Sequence, residues 1–351
     1  MKICFLLSDF NFDGGGGRYA RELVNGVRRA GHETIILTEQ GGDLPILGRG
    51  AKVFISALKA RKYFKKCDVI HALDIYPYGV IAYLANIFLD KKLIITAQGT
   101  YSVLPFYNLK IRWLARLACR QAHILTAISI FTKKKLLERI FPREVLLINH
   151  GVNLEKFYQP QAAHQGNFIL GAGALKNRKG YHIAIPAFAL AKKKIPDLQY
   201  FILGNQKDDP AYFEELKKLA VKNGVGDSVK FIAGISESEL LKLYRDARLF
   251  ILTSINIYLN FEGFGLVFLE AAAAGLPVIG TKDTGIEDAV SNNFNGILVP
   301  QNDIEATAQA IIKILTEPEL WQKMSQHSYA WAKEHDWESV IKKYLEFCYA
   351  K

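Results

Sequence analysis

Cysteine is scarce in this sequence of 351 residues, and its positions form no metal-binding or disulfide pattern. The four cysteines lie far apart along the chain and include no C-x-x-C pair. Neither a zinc site nor a framework of disulfides is therefore indicated. A reducing compartment fits this usage best, and we predict a cytoplasmic protein.

Long apolar runs are missing as well. The longest, such as YGVIAYLANIFL over 78–89, are about a dozen residues, whereas a membrane-spanning helix needs about 18 or more. The N-terminal MKICFLLSDF has no small-residue cleavage site after it, so we interpret it as a first strand rather than a signal peptide. The sequence thus predicts a soluble protein, with peripheral attachment at the inner face of the membrane as the alternative.

Signatures of nucleic-acid and metal chemistry are also absent from the sequence. No zinc finger, RNP-type aromatic motif or Arg-Gly repeat occurs, which argues against a nucleic-acid partner. No D-x-D metal motif stands in a supportive context, and the KDDP stretch at 207–210 is interpreted as a helix cap. We therefore predict neither a bound metal nor a cofactor.

Positive charge is in excess, and it lies in one half of the chain. The formal net charge is +11. Residues 1–160 hold 24 Lys and Arg against 12 Asp and Glu, whereas residues 161–351 hold 21 against 22. A single basic run is usually a solvated surface, but a whole basic half predicts an anionic partner. We expect an anionic membrane surface or a phosphorylated lipid.

Apolar strand-like runs alternate with helix-length amphipathic runs from end to end, which is typical of parallel sheets covered by helices on both faces. The pattern restarts after the polar stretch FYQPQAAHQGN. We therefore predict an α/β protein with two tandem doubly wound, Rossmann-like domains, over residues 1–160 and 161–330. A C-terminal amphipathic helix over 331–351, with Asp336 as its N-cap, could pack on either domain. The predicted strands are 2–8, 33–38, 68–71, 93–97, 123–128, 145–149, 168–172, 199–203, 229–233, 249–253, 277–280 and 297–299.

Open α/β sheets bind ligands beyond the carboxyl ends of their strands, so the loops that follow strands are the candidate sites. The first is the glycine run Gly14–Gly17, which follows strand one and opens a helix. Backbone amides there can approach a phosphate or a sugar without a Cβ in the way. Because the run lacks G-x-G-x-x-G spacing with a clear downstream acid, a nicotinamide site is only an alternative.

The second candidate loop is basic. Arg178 and Lys179 lie between a strand and a helix, and Gly180 follows them. At this position the two cations can meet a diphosphate leaving group. A solvated basic turn is the alternative for this loop taken alone.

The third candidate loop is EGFGLVFLE, residues 262–270. Its two glycines permit a tight loop before a helix that we predict to begin near Leu266, and the amides and positive end of that helix suit an anion. Glu270 would lie about one turn inside, placed to accept hydrogen bonds from a ribose diol, and Glu262 could hold hydroxyls of a transferred sugar. For Glu270 the alternative is an acid that offsets the helix dipole. A fourth loop, TKDTGIEDAV over 281–290, is another turn between a strand and a helix.

Together these residues resemble the retaining glycosyltransferases of family 4, which have the GT-B fold. The most specific part is E-G-F-G-L-x-x-x-E at 262–270. HGVNLEKF (150–157), LKNRKG (175–180) and GISESELLKLYRDARLFILTS (234–254) occur in the order that the family has. The resemblance covers nearly the whole chain and implies two Rossmann-like domains that face each other across a cleft.

The resemblance also implies a reaction and roles for the site residues. The reaction would transfer a glycosyl group from a nucleoside diphosphate sugar to an acceptor hydroxyl, with retention, in glycan, glycolipid or cell-surface polysaccharide synthesis. Glu270 would hold the nucleotide ribose, and Glu262, Lys179 and Arg178 would be catalytic. The remaining implied contacts are Gly15, Gly16, Phe264, Gly265 and Leu266 with the donor, and Arg18, Gln98 and Tyr101 with the acceptor.

Two positions depart from the family pattern. Ala174 stands where the family commonly has an arginine, and Gln98 stands where a histidine is usual. Glutamine can orient a hydroxyl but cannot titrate. Two alternatives therefore stay open: a catalytically weak GT-B partner subunit, and a sugar-nucleotide epimerase or phosphorylase of the same fold.

Overall fold

The structure, a computed structural model, describes residues 1–10, 14–40, 44–140, 143–158 and 164–350. Its contacts divide the chain into two compact units, Met1–Gly151 with Trp337–Lys351, and Val152–Asp336. The predicted boundary between residues 160 and 161 lies outside the described residues. The predicted boundary at residue 331 falls inside a helix of the second unit, so the C-terminal segment that joins the first unit begins at Trp337.

The first unit is built on a six-stranded parallel sheet with the order β2-β1-β3-β4-β5-β6. Its strands are β1 (Lys2–Asp9), β2 (Glu33–Gln40), β3 (Val69–Leu73), β4 (Lys92–Ala97), β5 (Ile124–Ala127) and β6 (Leu146–Leu147). Its helices up to residue 151 are α1 (Gly15–Arg29), α2 (Lys52–Phe64), α3 (Val80–Asn86), α4 (Thr100–Val103), α5 (Arg112–Gln121) and α6 (Ile130–Ile140). An apolar core lies on each face of the sheet, which is why its central strands are apolar almost throughout.

The second unit is built on another six-stranded parallel sheet, with the order β12-β11-β10-β7-β8-β9. Its strands are β7 (Phe168–Ala172), β8 (Gln199–Leu203), β9 (Val229–Ile232), β10 (Leu249–Ile251), β11 (Val278–Thr281) and β12 (Gly296–Val299). Its helices are α7 (Leu154–Phe157), α8 (Tyr181–Lys192), α9 (Pro210–Lys222), α10 (Glu237–Asp246), α11 (Leu266–Ala273), α12 (Ile304–Thr316) and α13 (Pro318–Glu334). Asp209 caps α9 by accepting a hydrogen bond from the Tyr212 amide at 3.1 Å, which confirms the helix cap predicted for the KDDP stretch.

The C-terminal residues complete the first unit. Helix α14 (Trp337–Lys343) begins directly after Asp336 and continues into a π-helical turn, Tyr344–Cys348. It packs beside α1, where the hydroxyls of Tyr19 and Tyr344 lie 2.5 Å apart in the core. Among the described residues, no helix combines the length and the apolar character needed to cross a bilayer.

All twelve strands predicted from the sequence are present, with ends that differ by at most two residues. The helix predicted to begin near Leu266 begins at Leu266. Such agreement is expected for strands buried on both faces, because their apolar runs contrast sharply with the polar turns around them.

Candidate functional site

Three loops of the second unit meet at the carboxyl edge of its sheet, the usual ligand-binding edge of an α/β unit. They follow β7, β10 and β11. The amide of Ile255 donates to the Arg178 carbonyl at 2.8 Å, which joins the first loop to the second. The Thr281 hydroxyl donates to the Ser254 carbonyl at 2.5 Å, which joins the third loop to the second.

Gly180 fixes the shape of the basic loop. Its φ is +73°, and a Cβ at this position would lie 1.8 Å from the carbonyl oxygen of Thr253. The Thr253 hydroxyl donates to the Gly180 carbonyl at 2.6 Å. Only glycine fits both the left-handed backbone and the close approach, so this residue sets where α8 begins and where the preceding cations lie.

The loop before α11 is held by a second close approach of backbone. Gly265 has a φ of +85° and precedes the first residue of the helix. The amide of Gly285 donates to the Glu262 carbonyl at 2.9 Å, and a Cβ at residue 285 would lie 2.0 Å from the Gly263 carbonyl oxygen. The TKDTG turn, which is uninformative on its own in the sequence, therefore supports the backbone that carries Glu262.

Glu262, Lys179 and Arg178 form one charged cluster. The Glu262 Oε2 atom accepts a hydrogen bond from Lys179 Nζ at 2.6 Å and another from Arg178 Nη1 at 3.0 Å. The side chains of Lys179 and Glu262 are 11% and 12% exposed. Within the part of the chain that the structure describes, no hydrogen bond is formed to Glu262 Oε1. The cluster as a whole carries one net positive charge.

The electrostatics of this cluster keep Glu262 ionised. Burial alone would raise the pKa of its carboxyl group, but the charges of Lys179 and Arg178 and their hydrogen bonds outweigh burial and lower that pKa to about 2. A carboxyl group with this pKa holds no proton at neutral pH. Glu262 can therefore position cations and accept hydrogen bonds, but it cannot serve as a proton donor.

Glu270 is held inside the second unit by a tyrosine that the sequence analysis missed. Its side chain is buried, and Oε2 accepts a hydrogen bond from the Tyr244 hydroxyl at 3.0 Å. Tyr244 lies on α10 and is the buried residue of that helix, packed against Phe157 and Phe250. The amphipathic sequence ELLKLYRDAR could have identified it as a core-facing position, but not its partner.

The remaining predicted residues of this edge contribute mainly backbone. Phe264 is 2% exposed, so its ring belongs to the core and only its peptide groups face the loop. Gly265 and Leu266 form the start of α11, where the first amides of a helix have no acceptor within the helix. Ala174, at the position where the family commonly has arginine, contributes no charge.

The five residues predicted for the first unit lie at the carboxyl edge of its own sheet. Gly15 and Gly16 open α1, and a Cβ at Gly16 would lie 3.6 Å from Gln98 Oε1, so the two loops are neighbours. Arg18 follows in the first turn of α1 and is half-buried. Tyr101 lies on α4 and is also at this edge, with 69% of its surface exposed.

Asp74 and Ser102 extend this edge and were missed from the sequence. The Ser102 hydroxyl accepts from the Gln98 amide at 2.7 Å and donates to Asp74 Oδ1, which also accepts from the Ile75 amide at 2.7 Å. Burial raises the pKa of the Asp74 carboxyl to about 6 despite these hydrogen bonds. An acid directly after the apolar strand β3 was the available signal.

Within the described residues, no group of three or more His, Cys, Asp or Glu side chains is arranged to hold a metal ion. The predicted site residues at the two sheet edges include the cations Arg18, Arg178 and Lys179. Such sets suit anions and hydroxyls more than a divalent cation.

Comparisons with known proteins agree on one family. The family model described as glycosyl transferases group 1 matches residues 153–331, and the glycosyltransferase family 4 model matches residues 13–156. An uncharacterized glycosyltransferase of Methanocaldococcus jannaschii is 25% identical over 296 residues, which span 84% of this chain and 79% of that protein.

Two further similarities concern proteins with named ligands. A GDP-mannose-dependent alpha-(1-6)-phosphatidylinositol monomannoside mannosyltransferase of Mycobacterium tuberculosis is 26% identical over 238 residues, 64% of this chain and 61% of that enzyme. The crystal structure of Anabaena HepE in complex with UDP and glucose matches with a TM-score of 0.82 and 18% identity, over 99% of this chain and 98% of HepE.

The group 1 model covers more than half of the chain, and two solved glycosyltransferase-fold structures match 98% and 99% of it with TM-scores of 0.82. The protein therefore belongs to the glycosyl transferases group 1, and it is a family 4 glycosyltransferase with the GT-B fold.

Proposed function

We propose that this glycosyltransferase moves a sugar from a nucleoside diphosphate sugar to an acceptor hydroxyl, with retention of anomeric configuration and without a metal ion. The observation that carries the proposal is the pair of cations, Arg178 and Lys179, held by Glu262 just before the start of α11. The mycobacterial relative is named for GDP-mannose, and the HepE structure contains UDP and glucose, which supports a donor of this class.

In the proposed reaction, the protein acts mainly by stabilising the negative charge of the leaving group. Cleavage of the bond between the anomeric carbon and the diphosphate oxygen separates an oxocarbenium-like sugar, with one positive charge, from a nucleoside diphosphate with three negative charges. Lys179, Arg178 and the first amides of α11 would stabilise the negative charge that develops there. Loss of one such donor from other oxyanion sites costs about 10²–10³ in rate.

The acceptor hydroxyl would attack on the same face from which the diphosphate leaves. Its oxygen forms the new bond to the anomeric carbon, and its proton passes to the departing phosphate oxygen, so no protein base is needed. Glu262, ionised and fixed by two cations, would accept a hydrogen bond from a donor-sugar hydroxyl through Oε1. Glu270 would bind the nucleotide ribose from its buried position beside Tyr244.

The acceptor would be a glycan or a lipid-linked glycan, used in glycolipid or cell-surface polysaccharide synthesis. Gln98, Arg18 and Tyr101 would bind it in the first unit, and the glycines at the start of α1 would contact the donor. The basic first half supports an anionic acceptor or an anionic membrane surface at the inner face of the membrane.

A thermal-shift panel tests the donor assignment. UDP-, GDP-, ADP- and TDP-sugars are added to the wild type, to Glu270→Ala and to Glu237→Ala, a control on the exposed start of α10. We expect one donor class to stabilise the wild type and the control but not Glu270→Ala. If no nucleotide sugar stabilises the wild type, the donor assignment is wrong.

Two further measurements test the reaction itself. The anomeric proton of the product, observed by NMR, should show the configuration of the donor, and an inverted product would refute retention. The purified protein should also hydrolyse its donor slowly in the absence of acceptor. No hydrolysis of any donor would favour the alternative of a catalytically weak partner subunit.

A further inference from the structure

Asp74 is an acid at the carboxyl edge of the first sheet that the proposed reaction does not use. It follows β3 directly, and β3 lies between β1 and β4. Strand β2 lies on the other side of β1, so the strand order reverses between β1 and β3. In open α/β sheets, ligands bind at the carboxyl edge in the crevice where the order reverses in this way. Asp74 therefore lies at the position of the first unit where the topology predicts a ligand.

The backbone of Asp74 is strained. Its φ is +132° and its ψ is 160°, a conformation that is essentially restricted to glycine. Residues in such conformations persist only where the surrounding structure holds them, and they cluster at functional sites. Because glycine would relieve the strain, the presence of an aspartate indicates a use for its side chain.

The two carboxylate oxygens of Asp74 have different surroundings. Oδ1 accepts hydrogen bonds from the Ile75 amide and from the Ser102 hydroxyl, which itself accepts from the Gln98 amide. No hydrogen bond to Oδ2 is formed within the ranges that the structure describes. Asp74 is half-buried, and Oδ2 is not one of the fully buried atoms that lack a partner, so this oxygen reaches solvent. One oxygen thus holds the loop that carries Gln98, and the other is accessible.

A structural role accounts for only one of these oxygens. A cap on the turn and a bond to Ser102 need a single acceptor, which the amide oxygen of asparagine would also provide. Burial raises the pKa of the Asp74 carboxyl to about 6, so the group is still mostly ionised at neutral pH. Arg49, whose charge lowers this pKa, is paired with Glu39 at 2.9 Å, and among the described residues Asp74 forms no ion pair. An ionised group without a charge partner lowers stability in a half-buried position, which argues for a ligand.

We propose that Asp74 determines acceptor specificity by accepting, through Oδ2, a hydrogen bond from a ring hydroxyl of a sugar acceptor. An ionised carboxylate only accepts hydrogen bonds, and it repels phosphate and carboxylate groups. The sugar ring at this subsite should therefore be uncharged, even where another part of the acceptor carries phosphate. Because Oδ1 holds the loop after β4, one side chain fixes the bound hydroxyl relative to Gln98. This inference rests on the proposed transfer to an acceptor hydroxyl and adds the class of acceptor that the first unit binds.

Transfer to p-nitrophenyl glycosides tests the proposal on the full chain. The donor is the nucleotide sugar that stabilises the wild type, and the acceptors are the p-nitrophenyl glycosides of glucose, galactose, mannose and N-acetylglucosamine. Each monodeoxy analogue of the accepted glycoside is then compared with its parent. In the wild type, one analogue should have a kcat/KM at least about tenfold below that of the parent, because it leaves the charged oxygen without its donor.

The variant Asp74→Asn isolates the contribution of Oδ2. Asparagine keeps an oxygen for Ile75 and Ser102 but places an NH2 donor at the position of Oδ2. Asp74→Asn should lose at least about tenfold in kcat/KM for the parent glycoside, and it should no longer discriminate against the deoxy analogue. Asp74→Gly, which relieves the backbone strain, is a second variant with the same expected loss of discrimination. Discrimination that is unchanged in either variant would overturn the proposal.

Asp90→Asn is the matched control. Asp90 belongs to the same unit and also has a positive φ, +51°, but it is exposed and precedes β4 at the opposite edge of the sheet. This variant should keep the activity and the discrimination of the wild type. Urea unfolding should show that Asp74→Asn is at least as stable as the wild type at neutral pH. A loss of stability that parallels the loss of transfer would indicate a purely structural role and overturn the proposal.

Two results separate this inference from the proposed function. Nucleotide sugars should stabilise Asp74→Asn as they stabilise the wild type, because the cations and Glu270 that are proposed to bind the donor belong to the second unit. A wild type that binds a nucleotide sugar but transfers to no p-nitrophenyl glycoside would overturn only the sugar-ring assignment. A wild type that binds no nucleotide sugar would refute the proposed function, and this inference with it.

Discussion

Glu262 offers the sharpest test of the charged cluster, because one substitution changes both stability and its dependence on pH. Its carboxyl pKa falls from an ordinary value of 4.5 to about 2, which corresponds to about 3 kcal/mol of folding free energy at neutral pH. Removal of one partner from a buried ion pair costs about 3–5 kcal/mol in other proteins. We therefore expect Glu262→Gln to destabilise the second unit by about 3 kcal/mol.

The dependence on pH has a definite sign. A lowered pKa means that this stabilisation is complete above the ordinary pKa of 4.5 and is lost as the pH falls to about 2. The difference in stability between the wild type and Glu262→Gln should therefore shrink over that interval. Urea unfolding at a series of pH values measures this difference, and native-state hydrogen exchange on peptides from β7 and β11 assigns it to the second unit.

Glu237 provides a matched control for this experiment. It forms an ion pair with Lys156 at 2.8 Å, but its side chain is 67% exposed. Exposed pairs contribute less than about 1 kcal/mol, so Glu237→Gln should change stability little at any pH. The reasoning is refuted if the two substitutions cost the same, or if the effect of Glu262→Gln does not change with pH.

Three other predictions follow from the same geometry. Gly180→Ala should lower the free energy of unfolding by more than about 3 kcal/mol, because its Cβ would lie 1.8 Å from the Thr253 carbonyl oxygen. Gly224 has a φ of +71° and open space around it, so Gly224→Ala should lower that free energy by only about 1 kcal/mol. Thermal unfolding of both variants measures the difference. Asp74→Asn should stabilise the first unit at neutral pH by up to about 3 kcal/mol and should give no gain below the ordinary pKa of 3.8. Because the pKa of Asp74 is raised to about 6, the folded wild type loses stability as the pH rises from 3.8 to 6. Melting temperatures of the variant and the wild type across this pH range measure the difference. Transfer activity should be unchanged by EDTA, and an activity that EDTA abolishes and a divalent cation restores would contradict the metal-independent reaction.

The sequence predicted the fold and the positions of the site loops because both depend on local patterns. Buried parallel strands appear as short apolar runs between polar turns, and all twelve could be located. Gly180 and Gly265 could be assigned to tight turns because glycine adopts a left-handed backbone without a steric penalty, and both have positive φ in the structure. The start of α11 followed from the same signal.

The partners of the charged residues could not be predicted, because they are distant in sequence. Lys179 and Glu262 are 83 residues apart, and their hydrogen bond depends on how the loops after β7 and β10 meet. From the sequence, the cations were therefore assigned to a diphosphate and the acid to a sugar, and the contact between the cations and the acid was not predicted. Tyr244 and Glu270, and Asp74 and Ser102, are further pairs of this kind.

The most direct test of the central claim is calorimetric binding of a nucleoside diphosphate to the full chain. If Lys179 binds the diphosphate, the wild type should bind UDP or GDP. Lys179→Gln should bind the same nucleotide at least about tenfold more weakly, since a charge-assisted contact contributes about 1.5–3 kcal/mol. Lys176→Gln, a neighbouring exposed position, should bind as the wild type does. Equal affinity of Lys179→Gln and the wild type, or no binding of any nucleoside diphosphate by the wild type, would contradict the account.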